Sequence, residues 1–270
     1  MRWFVPLLLT ACMGGGTPET PQPEPKEEPT PDVPVIDKNE LKKSAENVAL
    51  VPSPVETQRA LESSGIDTQL ATLIPKHEFD MSVKDVEHAA VRTGVVLADM
   101  LLTVKNASKE ELVERLEGVR TGMKQLNGGE DIDRTLVDYQ ESVKAEAINR
   151  DELLKDFDEL SGAIIPELEF NNNERVVPLI QAGSWLEGAH LVAKAVKAKG
   201  QPAAADGLLK QPNVVAYFAK YVHDEGSKSA PPQVAKRLEE SLNTLKGLAE
   251  KKEPLNEADI DTVIEATSNV

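Results

Sequence analysis

The chain has 270 residues, a formal net charge of −16 and one cysteine, with 28% charged and 40% hydrophobic side chains. This is ordinary globular composition, at a length that can bury a core without staples. The acidic excess excludes nucleic acid and anionic membrane surfaces as partners, since both reward Lys and Arg clusters, and 4% aromatic content leaves no stacking platform for sugars or bases.

The chain opens with Arg2, the short apolar run Trp3 to Leu9, and small residues before Cys12, the pattern of a secretory signal. The run is too short for a permanent membrane span. Leu9-Thr10-Ala11-Cys12 resembles the lipobox of bacterial lipoproteins. The resemblance implies that residues 1–11 are removed and that Cys12 becomes lipidated, with enough acyl chain for stable anchoring. Met13, rather than Asp, follows the cysteine. By the sorting rule of such lipoproteins this implies the outer membrane, with the protein facing the periplasm or the cell surface. Disulfides, thiol catalysis and cysteine-based metal sites are then excluded from the folded part.

Residues 12–40 read as a tether. Gly14-Gly15-Gly16 is followed by prolines alternating with acids, from Pro18 and Glu19 to Asp32 and Pro34. Proline lacks a backbone donor and favours polyproline II, so this stretch builds no packed element; at about 3.1 Å per residue it reaches roughly 60 Å.

Residues 41–270 carry repeated helix signals and no clear strand signal. Ser53-Pro54 opens a helix that Gly65 closes. Asp67 to Ile74 is a short apolar piece ended by Pro75. Ser82 is expected to cap a long helix to about Val104, and Ser108 with Glu111 forms a capping box for the next, which ends at Gly128-Gly129. Helices over Asp131 to Ile148 and from Asn149 follow, and Pro166 is expected to bend or break the second of them. Asn171 to Asn173 form a turn before the stretch from Glu174 to Lys199, which is apolar on nearly every side of a 3.6-residue period and reads as a central buried helix. Gly200 stops it. Shorter helices over Ala203 to Leu209 and Asn213 to His223, an amphipathic one from Pro232 to Lys251 and a terminal one opened by Asn256 complete the chain. The short loops predict an all-α fold, an antiparallel helical bundle around the central helix.

Within that helix Gly183, Ser184, Gly188 and Ala189 are small residues at positions where glycine costs up to about 1 kcal/mol relative to alanine. Close approach of a second helix is one account of them, and a cavity for a ligand is the other. Ala90 to Asp99 together with Ala182 to Gly188, including Trp185-Leu186-Glu187-Gly188, resemble two segments of uncharacterised helical lipoproteins of the Bacteroidetes type. That resemblance implies an exported all-helical domain and no chemistry. Ser184 and His190 depart from it, standing where glycine and tyrosine are usual.

Two spacings carry possible chemistry. Glu187 and His190 form an E-x-x-H pair, and Asp85 and His88 a D-x-x-H pair. Facing each other in a bundle, with carboxylates such as Glu114 or Glu141 from further helices, they could hold two metal ions in the manner of ferritin-like proteins. Arg92 shares the stripe of Asp85, His88 and Asp99, and a cation there is unfavourable for a metal. Asp99, in a run of apolar residues, requires a partner from another helix if it is buried. There is no serine nucleophile elbow, phosphate-binding loop or zinc signature.

The reading is an envelope lipoprotein without catalysis and without a cofactor. Its helical domain would meet another envelope protein or a small apolar ligand on a face that includes Gly183, Trp185, Glu187, Gly188, His190, Asp99 and Arg92. The alternative is the metal-carboxylate protein using Asp85, His88, Glu187 and His190.

Overall fold

The structure, a computed structural model, describes residues 51–66, 70–74, 81–171, 173–226 and 231–268. The signal, Cys12 and the tether lie outside the described residues. Among the described residues ten α-helices follow one another: α1 (Pro54–Ser63), α2 (Val86–Thr103), α3 (Lys109–Gln125), α4 (Glu130–Lys144), α5 (Arg150–Phe170), α6 (Val177–Lys199), α7 (Asp206–Leu209), α8 (Pro212–Tyr221), α9 (Pro232–Ala249) and α10 (Glu257–Ser268). No strand occurs among the described residues. The protein is an all-α helical bundle around a buried central helix, as the patterning requires.

Local chemistry sets most boundaries. Ser53 with Glu56, and Ser108 with Glu111, close reciprocal capping boxes, so two orphan N–H groups are satisfied at the start of α1 and of α3. Gly200 ends α6 in the left-handed conformation, with φ 65°. Several features differ from expectation, among them the end of α4 at Lys144 rather than Ile148. Asp85, and not Ser82, caps α2: its carboxylate accepts the His88 N–H at 2.9 Å. Helix α5 continues through Pro166 to Phe170. The carbonyl that loses its donor there belongs to Gly162, an exposed residue, where water can serve in the donor's place.

The order of the bundle follows from hairpin connections. Thr93 lies against Gly122, and Arg115 bonds Thr103, so α2 and α3 are antiparallel. Arg120 pairs with Asp133, while Gln140 reaches back to Val113, reversing α4 against α3. The Tyr139 and Phe157 rings meet edge to face at 4.9 Å, and Glu167 lies against Gly129, reversing α5 against α4. Because α6 reverses once more, four reversals leave it parallel to α2. The register confirms this: Glu87 pairs with Arg175 at one end, Gly94 meets Ile180 and Ser184 in the middle, and Asp99 meets Glu187 further on.

Parallel α2 and α6 form the centre of one continuous hydrophobic core running from Val55 to Val263. Glycines set their spacing. A Cβ on Gly94 would collide with the Ile180 carbonyl and the Ser184 amide, and one on Gly183 with the Val91 carbonyl. Close backbone approach is therefore what the glycine at 183 provides. Helix α10 covers the far end of α6, where Lys197 pairs with Asp261 at 2.6 Å.

Candidate functional site

From Val177 to Val196, α6 is buried except along one seam made of Pro178, Gln181, Ser184, Glu187, His190 and Lys194. All the polar side chains of that stretch lie on the seam. Steps of three residues drift around a 3.6-residue helix, so Gln181 and Ser184 face one flank of the α2–α6 pair while Glu187 and beyond face another. Each flank holds a distinct polar arrangement.

On the first flank a cleft of about 440 Å³ opens between α5 and α6. Its wall is apolar, made by Leu97 and Leu101 of α2, Ile164 and Leu168 of α5, and Val177 and Ile180 of α6. Residues 51–56 close one edge, and Asp158, Ser161 and Glu56 supply polar groups around it. Gln181 and Ser184 enter from α6, and the Gln181 Oε1 is shielded from solvent without a hydrogen-bond partner. Concavity, an apolar wall and a few polar groups at this volume are the attributes of a small-molecule site.

On the second flank Asp99 is 3% exposed and its carboxyl hydrogen-bonds that of Glu187. Two carboxyls in contact repel each other when both are ionised, so loss of the last proton from the pair is opposed. Burial, followed by the Glu187 charge and hydrogen bond, holds the Asp99 carboxyl well above the usual carboxylate range, against the opposing charges of Arg115 and Lys194. Arg115, on α3 and 4% exposed, donates from Nη1 to the Thr103 hydroxyl at 2.7 Å, and that hydroxyl donates to the Asp99 carbonyl. Burial lowers the guanidinium's pKa, and the Asp99 charge opposes that shift. Lys194 donates to the Leu73 carbonyl at 2.7 Å. Asp99 does not line the cleft. This pair, with Asp99 buried and Glu187 half-buried, joins α2 to α6, and Arg115 adds α3 through Thr103.

The structure therefore unites two of the residues singled out by sequence, Asp99 and Glu187, through a partner on another helix as burial demands. Arg92 is half-buried on α2, and the opposing cations that act on Asp99 are Arg115 and Lys194. Trp185 is 7% exposed, donates from Nε1 to Gln211 at 2.8 Å and packs on Phe218, so it fastens the segment around α8 to α6. Gly188 is buried, and a Cβ there would meet nothing within 4 Å. His190 contacts the Thr267 hydroxyl through Nδ1 at 2.9 Å, and burial, then the Lys194 charge, lowers its pKa. The Thr267 hydroxyl also bonds the Val263 carbonyl at 2.7 Å, and the His190 ring bonds the Ile264 backbone, so the side chain is held between α6 and α10.

The metal constellation of the alternative reading is not assembled among the described residues. In the parallel register Asp85 and His88 lie at the level of Arg175, whereas Glu187 lies opposite Asp99, about twelve residues or roughly 18 Å further along. The Asp85 carboxylate is engaged as the α2 cap, Glu114 is exposed, and Glu141 pairs with Lys144 on the surface. Among the described residues no group of three or more His, Cys, Asp or Glu side chains is placed to hold a metal ion.

Sequence reasoning missed Arg115 and Gln181. A signal existed for the first, because Arg115 falls three residues after Leu112 and four before Val119, on the apolar stripe of α3. For Gln181 the signal was a lone polar side chain between Ile180 and Ala182 in an apolar run, the same kind of signal that marks Asp99. No protein-family model, curated protein or solved structure matches this chain.

Proposed function

We propose that this is an exported lipoprotein, anchored to the outer membrane through Cys12, whose helical domain binds a small apolar molecule in the α5–α6 cleft and performs no catalysis on it. The cleft carries the reading: it is apolar, adjoins the small-residue stretch of α6, and has the volume of a small-ligand site. The lipobox and the proline-rich tether support the anchor. The carboxyl pair lies off the cleft and is assigned to stability rather than chemistry.

Two measurements test the proposal. Cys12→Ser is expected to move the protein from the membrane fraction to the soluble one, and unchanged partitioning would remove the anchor. N-phenyl-1-naphthylamine, which fluoresces when taken up by an apolar site, is expected to bind the full chain and to lose at least tenfold in affinity in Ser161→Phe, at unchanged thermal unfolding. Equal binding by that variant would place the probe elsewhere and end the cleft reading.

A further inference from the structure

A complete Schellman cap closes the end of α3. Asn127 stands in the left-handed region at φ 54°, its N–H donates to the Lys124 carbonyl at 3.2 Å, and the Gly128 N–H donates to the Met123 carbonyl at 2.8 Å. Each position has its own demand. The left-handed residue is best glycine and next best asparagine. The residue after it must lack a side chain, because a Cβ on Gly128 would collide with the Met123 side chain and carbonyl. Together these demands produce Asn127-Gly128, the one Asn-Gly dipeptide in the chain.

Asn-Gly is the sequence at which a polypeptide most readily attacks itself. The glycine nitrogen, on losing its proton, bonds to the asparagine Cγ while the Cγ–Nδ2 bond breaks and ammonia leaves, giving a cyclic imide. Water then opens the ring to aspartate or to isoaspartate. Here the Asn127 side chain is exposed, but the attacking nitrogen is engaged: Gly128 is buried and its N–H is committed to Met123. Neighbouring helices prop the cap from outside. Asn173 donates from Nδ2 to the Leu126 carbonyl at 2.7 Å, and Glu167 of α5 lies against Gly129. Attack therefore waits for the end of α3 to open.

We propose that Asn127 is a latent deamidation site, silent while the Schellman cap is closed and reactive when the end of α3 opens. Either product places a negative charge at the C-terminus of α3, where the helix dipole disfavours it. That charge also falls just ahead of Glu130 and Asp131, and two residues from the glycine against which Glu167 packs. Isoaspartate adds a methylene to the backbone between the two N–H donors of the cap, which shifts the Gly128 N–H out of register with the Met123 carbonyl. The modified chain thereby loosens the clamp between α3 and the turn that leads into α6.

The test follows the tryptic peptide 125–134 by mass spectrometry in the full chain carrying Cys12→Ser, incubated in mildly alkaline buffer with and without denaturing guanidinium chloride. Asn127 is expected to convert in denaturant, and at least tenfold more slowly in the folded chain, since opening of the cap precedes attack. Asn173→Ala removes the outer prop and leaves the reacting dipeptide untouched. Conversion in the folded variant is expected to rise about fivefold, the worth of one ordinary hydrogen bond, at an unchanged rate in denaturant. Equal rates with and without denaturant would show that the cap does not shield the bond, and no conversion in denaturant would remove the site. An unchanged folded rate in Asn173→Ala would separate attack from opening of the α3 end and overturn the gate. Should that variant fail to fold, the comparison on the chain with native Asn173 still decides.

Discussion

On the α5 flank of the central pair, Leu97 and Leu101 of α2 look into an open cleft of about 440 Å³. On the α3 flank of the same helix, Asp99 and Thr103 are sealed against Arg115, all three at 4% exposure or less. Two residues along a helix are enough to pass from one environment to the other. The fold leaves space where its side chains are aliphatic and closes tightly where they are charged. Space beside aliphatic groups costs only lost dispersion contacts, and a ligand can restore them. A gap beside a buried carboxyl costs more, and even the closed flank leaves the Asp99 Oδ1 and the Arg115 Nε without hydrogen-bond partners. Where a helical bundle keeps charge in its interior, the open volume should therefore be sought on the other side.

The sharpest way to break this arrangement is to separate the two helices that divide the flanks. Gly94→Val drives a branched side chain into the Ile180 and Ser184 backbone and is expected to cost at least about 4 kcal/mol in chemical denaturation. A loss below about 1 kcal/mol would mean that the glycine contact does not set the spacing. Next in size is Arg115→Met. It strips the carboxyl pair of its α3 cation and is expected to cost about 3 kcal/mol, part of it recovered when Asp99→Leu is added, because no buried Asp99 carboxyl then remains for the missing cation to offset. Purely additive losses would deny the coupling.

Titration gives a smaller effect with a definite sign. The Asp99 pKa is raised in the folded protein, so the folded state holds the proton more tightly than the unfolded one. Stability is then greatest below the ordinary Asp value near 4 and declines as pH rises from there towards the folded pKa, with a slope of at most about 1.4 kcal/mol per pH unit for one proton. Asp99→Asn should flatten that decline, so urea midpoints of the variant and the parent should diverge between pH 4 and pH 7 in favour of the variant. Parallel midpoints would show that Asp99 does not titrate differently on folding. Smallest is Gly162→Leu on the open flank. A Cβ there meets nothing within 4 Å, and the variant is expected to gain about 0.5–1 kcal/mol from helix propensity while narrowing the cleft. Lost stability would show that the cleft margin is already filled.

Much of the architecture is written in local chemistry. Ser53, Ser108, Asn149 and Gly200 mark helix ends in the sequence and do so in the structure. The apolar girth of α6 identifies it as the centre. Pro166 does not end α5, because proline in a helix interior is tolerated when the orphaned carbonyl lies on an exposed turn. The Asp85 and His88 pair misleads because a D-x-x spacing is also that of an N-cap, and a cap is what this aspartate serves as. At the candidate site, the burial of Asp99 and its need for a partner on another helix are legible from its apolar neighbours. Which helix supplies the partner is not, since that follows from the count of chain reversals and from a register common to residues far apart. The cleft is the least legible element. Volume left over between α5 and α6 depends on how side chains from three helices fill space together, and no one-dimensional pattern encodes it.

The parallel pairing of α2 and α6 also governs the order in which this chain can become stable. Glu87 and Arg175 are 88 residues apart, so the largest helix contact in the domain forms only after four hairpins' worth of chain has been made. Closing so long a loop costs little more than closing one of half its length, by about 0.6 kcal/mol, but it raises contact order and slows the search. Until Lys199 has emerged, α2 presents the glycine face of Gly94 and a row of aliphatic side chains with no partner. The N-terminal hairpins therefore gain their full partner surface late, a kinetic property that follows from the parallel pairing itself.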